Sequence, residues 1–65
     1  MMMTMEEANC ALKLFNAHMT REETSYHTEA NVYRYYLHVD GHIEILGHWN
    51  EPIDKVYQFA VDTFL

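Results

Sequence analysis

The sequence predicts a small α+β domain in which an antiparallel hairpin packs against two helices, in the order α-β-β-α. Three features carry that expectation: a helix-starting box at Thr4 to Glu7, a tyrosine-rich run interrupted by Asp40-Gly41, and a proline-led amphipathic segment running to Leu65. The 65 residues are read as one domain, 1–65. A domain of this size buries only about 60% of the surface its unfolded chain exposes, so its stability margin is thin.

Thr4-Met5-Glu6-Glu7 is a capping box: the Thr4 hydroxyl accepts from the Glu7 amide while the Glu7 carboxylate accepts from the Thr4 amide. From there Met5, Ala8, Leu12, Phe15 and Met19 recur at steps of three and four, broadened by Ala11 and Leu14, which predicts a helix over 4–19. Beyond Met19 the pattern divides. Thr20-Arg21-Glu22-Glu23 suits the start of a further short helix, whereas Thr24 to Thr28 alternates like a strand. Two strands alone are marginal, so a short third strand at 24–29, or sheet pairing across a dimer, would relieve that weakness.

Asn31 to Val39 is rich in tyrosine and β-branched residues, and Ile43 to Trp49 resumes the pattern after Asp40-Gly41. A two-residue turn there pairs Val39 with His42 and leaves both faces mixed. A three-residue loop, Val39-Asp40-Gly41, pairs His38 with His42, Leu37 with Ile43 and Tyr35 with Ile45, and makes one face apolar. That second register is the expectation. It gathers Val32, Arg34, Tyr36, His38, His42, Glu44, Leu46 and His48 on the reverse face. The final helix enters at Asn50-Glu51-Pro52 and buries Ile53, Val56, Tyr57, Ala60 and Phe64, with Asp54, Lys55, Gln58 and Asp62 toward water.

In the expected register His38 and His42 oppose each other at the ~4.5–5.5 Å spacing of cross-strand Cβ atoms, with Glu44 nearby. They form a candidate metal site, or a pH-responsive one, as the alternative to a plain protein-contact face. The spacing matches no ligand signature and lacks a supporting outer shell, so no cofactor is expected. Tyr36, Arg34 and Leu46 suit a contact surface, because Tyr and Arg bring large area with hydrogen-bonding tips. Cys10 reads as a quiet, partly buried thiol; on a continuous helix His18 would lie roughly 12 Å away, too far to activate it. No nucleophile motif or phosphate loop is present, and no catalysis is expected.

Ten carboxylates against four Lys and Arg give a net charge of −6, which disfavours nucleic acid and anionic membranes as partners. No secretory leader or apolar span is evident, so a cytoplasmic location is the simplest expectation. With no disulfide possible from Cys10 alone, burial against a partner is the expected supplement to the core, either as a homodimer or in a complex with another protein. Glu22, Glu23, Glu29 and Glu51 are the expected carriers of an anionic contact strip. In size and charge alone the chain resembles the small acidic inhibitors with which bacteriophages block host DNA-processing or defence enzymes, DNA mimics among them. That resemblance implies a protein that occludes the nucleic-acid site of a basic enzyme; a purely structural assembly subunit is the other alternative.

Overall fold

A computed structural model of the chain describes residues 2–24 and 32–65. It is an α+β domain in the order α-β-β-β-α: helix α1 (Met5–Leu12), a 3-10 turn (Lys13–Phe15), strands β1 (Ala17–Glu23), β2 (Tyr33–Val39) and β3 (His42–Trp49), and helix α2 (Ile53–Phe64). The strands form one antiparallel meander, β1-β2-β3.

The capping box forms as the sequence predicts, with Glu7 N 3.0 Å from Thr4 Oγ1 and Thr4 N 2.9 Å from Glu7 Oε1. The helix stops far earlier than the predicted 4–19. After Leu12 the chain tightens into the 3-10 turn, and Asn16 takes a left-handed conformation, φ 56° and ψ 43°, its N–H bonding Lys13 O. Asparagine tolerates that conformation and ends helices with it. Phe15 is therefore 41% exposed and Leu14 89% exposed, while Met19 reaches the core from a strand rather than from a helix.

The third strand exists, at 17–23 instead of 24–29; of that expected segment only Thr24 is described, outside any element, and the rest lies outside the described residues. Residue Asn9 ties α1 to this strand. Its carboxamide donates to Met19 O at 3.0 Å and accepts from Met19 N at 2.6 Å, the pair of hydrogen bonds a neighbouring strand would otherwise make.

The hairpin register also differs. Asp40 and Gly41 both have positive φ, 51° and 80°, and Val39 pairs with His42, so the turn is the two-residue type I′. His38 then opposes Ile43, Leu37 opposes Glu44 and Tyr36 opposes Ile45. The mixed faces that argued against this turn are resolved by a bulge. The register shifts between Tyr35 and Tyr36, so that Tyr35 pairs with Gly47 and Tyr33 with Trp49, leaving Leu46 as the extra residue. Gly47 adopts φ 93° there. Leu46 enters the core, 5% exposed, and the Trp49 indole N–H donates to the Leu46 carbonyl at 2.8 Å.

One sheet face is covered. Ala8 and Leu12 from α1, Val56 and Ala60 from α2, and Ala17, Met19, Tyr35, Leu37, Val39 and Leu46 from the strands form the core. Trp49 packs its ring 5.2 Å from that of Phe59, fixing α2 to the end of β3. The α2 stripe agrees with expectation at Val56 and Ala60, while Phe64 is 36% exposed; Pro52 takes the cap position without a side-chain bond from Asn50. Ile43 and Ile45, predicted to be in the core, are 55% and 58% exposed and lie on the other side of the sheet.

Two substitutions check these contacts. Asn9→Ala leaves both Met19 main-chain groups without their partner and should cost about 1–3 kcal/mol. In a domain this size that lowers the melting temperature by roughly 4–8 °C per kcal/mol in calorimetry. Gly47→Ala meets no steric obstacle, since nothing lies within 4 Å of an added Cβ, yet it should cost about 1–2 kcal/mol from the positive φ alone.

Candidate functional site

The sheet face that carries neither helix is built by strand alternation. Pairing places His18, His38 and Ile43 in the row nearest the turn, Thr20, Tyr36 and Ile45 in the next, and Glu22, Arg34 and His48 in the third. All nine are exposed or half-buried, whereas Ala17, Met19, Tyr35, Leu37 and Val39 on the reverse side are buried. The β1 and β2 columns of this face are polar and the β3 column begins with two isoleucines.

The polar columns are organised. The His18 and His38 rings stack 6° from parallel with centroids 4.3 Å apart, and Thr20 Oγ1 lies 2.9 Å from His38 Nε2. One row further, the Tyr36 hydroxyl donates to a Glu22 carboxylate oxygen, and the Arg34 guanidinium carbon sits 5.4 Å from the centre of the Tyr36 ring. The bond to Glu22 favours the protonated phenol, and with some burial beside it holds the Tyr36 pKa above its ordinary value; Arg34 opposes this more weakly.

Among the predicted contact residues, Glu22, Arg34 and Tyr36 are brought together here. Leu46 is not: the bulge turns it into the core. Glu23 and Glu22 are adjacent in β1 and so point to opposite faces; Glu51 is exposed ahead of α2, and Glu29 lies outside the described residues. The predicted ligand set His38, His42 and Glu44 is divided by the register. His42 pairs with Val39 and Glu44 with Leu37, on the helix side, while His38 faces away. Among the described residues no three His, Cys, Asp or Glu are placed to hold one ion. Cys10 is exposed rather than partly buried, and His18 is in β1, so the helical separation assumed between them does not apply.

Sequence reasoning missed His18, Thr20, Ile43 and Ile45 on this face, and Arg21 on the other. Arg21 donates to Tyr35 Oη at 3.1 Å and its guanidinium carbon lies 4.1 Å from the Tyr33 ring centre, at an open depression that Glu51 and Ile53 also line. The available signal was the alternation His18, Thr20, Glu22 against Ala17, Met19, a strand pattern hidden by the helical spacing of Phe15 and Met19.

Compared with protein-family models, with curated proteins and with solved structures, the chain matches none of them. No helix among the described residues is long and apolar enough to cross a membrane.

The Tyr36–Glu22 bond has a pH signature. Because the phenol is held protonated in the fold, its stabilising effect is complete below the ordinary tyrosine pKa of about 10 and is lost as pH rises through the higher folded value. In an ultraviolet titration of phenolate formation Tyr36 should ionise above pH 10, and Glu22→Gln should bring it down; an unchanged Tyr36 midpoint in that variant would refute the bond as cause.

Proposed function

We propose that this chain is a non-catalytic protein-binding module whose contact surface is the open face of its sheet. One observation carries the reading: Ile43 and Ile45, two residues apart on β3, stand 55% and 58% exposed on the same side. Isolated exposed apolar residues are ordinary, but neighbouring ones, flanked here by Tyr36 and Arg34, make the mixed apolar and polar patch that protein contacts use.

The net charge of −6 supports a basic partner, since complementary fields speed encounter and disfavour acidic competitors. Occlusion of a basic enzyme's nucleic-acid site remains the form of this reading that the charge favours. The opposite facing of Glu22 and Glu23 supports the aliphatic patch, rather than a strip of carboxylates, as the source of affinity. A second copy of the chain is the other partner of the same kind that the face would suit.

The double substitution Ile43→Asp and Ile45→Asp tests this. Both side chains are exposed, so the melting temperature should change little, while affinity for a captured partner should fall about 30-fold, the equivalent of about 2 kcal/mol. Retained binding refutes the contact surface. A collapse of thermal stability would instead mark both isoleucines as core. Light scattering at micromolar concentration separates self-association from a foreign partner.

A further inference from the structure

The row nearest the turn holds chemistry that apolar docking does not require. His18 and His38 oppose each other directly across β1 and β2, with ring centroids 4.3 Å apart. Both imidazoles line an open depression of about 400 Å³ together with Asn16, Asp40, His42 and Ile43. We propose that His18 and His38 form a two-imidazole site for a divalent transition-metal ion of the Cu²⁺, Ni²⁺ or Zn²⁺ class, with water filling the remaining positions.

Neutral imidazole binds these ions at about 2.0–2.1 Å, so two nitrogens on one ion are roughly 3–3.5 Å apart in tetrahedral or square arrangements. The stacked rings, 4.3 Å apart and nearly parallel, already place their nitrogens near that spacing, but their in-plane lone pairs converge on one ion only once the rings turn out of the stack. The torsion that turns an imidazole about its bond to Cβ is broad and soft, so the exposed rings have this reorientation open to them, with the metal bonds replacing the stacking contact. Thr20 supplies an orienting partner. When its hydroxyl accepts from His38 Nε2–H at 2.9 Å, the free lone pair of that ring sits on Nδ1, the tautomer-fixing arrangement that metal-ligating histidines use. The backbone pairing of the two strands brings the ligands together before any ion arrives, so binding does not pay for closing a loop between residues 18 and 38.

The coordination is open. His42 and Asp40 border the depression, but among the described residues no third His, Cys, Asp or Glu is placed to hold the same ion. An open two-nitrogen site follows the general order of divalent affinities, with Cu²⁺ tightest.

The test uses the whole chain, titrated with ZnCl₂ and with NiCl₂, reading the histidine ring protons by NMR and the heat by calorimetry. Saturable binding of one ion per chain is expected, with the His18 and His38 resonances moving together and further than that of His48. His18→Gln and His38→Gln should each weaken binding at least about tenfold, and His48→Gln should leave it unchanged, with circular dichroism reporting that each variant is folded. Three results would overturn the site: no saturable binding below millimolar metal, a proportional shift of every histidine, or full affinity in either His18→Gln or His38→Gln. The first two are read on the unsubstituted chain and do not depend on the variants folding.

Discussion

The bulge at Leu46 decides what this sheet shows to each side. Near the turn, the two-residue connection places Leu37 opposite Glu44 and sends Ile43 and Ile45 outward with Tyr36 and His38. Had that register run on, His48 would oppose Tyr33 on the helix side and Trp49 would face away. The extra residue exchanges them: His48 turns out beside Arg34, and Trp49 turns in opposite Tyr33. Trp49 then does two things. Its N–H answers the Leu46 carbonyl at the irregularity, and its ring packs against Phe59, so the chain enters α2 already seated on the core. Gly47 accepts the backbone conformation this demands, and Leu46 fills the space between strands and helices.

How much of this could be read beforehand follows from the kind of signal each element carries. The capping box and the α2 periodicity are local, and both appear where the residues place them. The Asp-Gly turn is local too; it was set aside because a single uniform register could not make one face apolar. Strand parity is not continuous here: the bulge gives each half of β3 its own parity. The first helix failed for a different reason. Met19 satisfies both a helical spacing from Leu12 and Phe15 and a strand alternation with Ala17, and only the left-handed Asn16 between them decides. Asparagine is compatible with a helix stop without requiring one, and the apolar spacing on either side of Asn16 outweighs it in the sequence.

A uniform hairpin register would let the molecule bury both isoleucines of β3 by itself. Full burial of an isoleucine is worth about 1.5–3 kcal/mol, a large share of the stability of so small a domain. Leaving two of them more than half exposed is a loss the isolated fold does not recover, because both helices lie on the other side of the sheet. On the same face the separate pairing of β1 with β2 brings His18 and His38 into contact and sets Glu22 near Tyr36. Apolar exposure and polar organisation meet on this face because β2 takes part in both pairings, presenting Tyr36 and His38 to each neighbour.

A three-stranded sheet also has two edges, and edges offer an easier route to association than a face does. Here both are blunted. On β1 the Met19 main-chain groups are taken by Asn9, and the rest of the strand carries Arg21, Glu22 and Glu23, whose charges oppose continued pairing with another chain. On β3 the bulge interrupts the regular ladder at its middle, and a bulged edge is twisted away from flat apposition. With strand addition disfavoured at either margin, association through the sheet is left to the broad side bearing Ile43 and Ile45. A partner recognising it meets side chains rather than backbone, so its selectivity would come from Tyr36, Arg34 and the imidazole pair around the isoleucines, residues whose identity matters in a way that backbone pairing does not require.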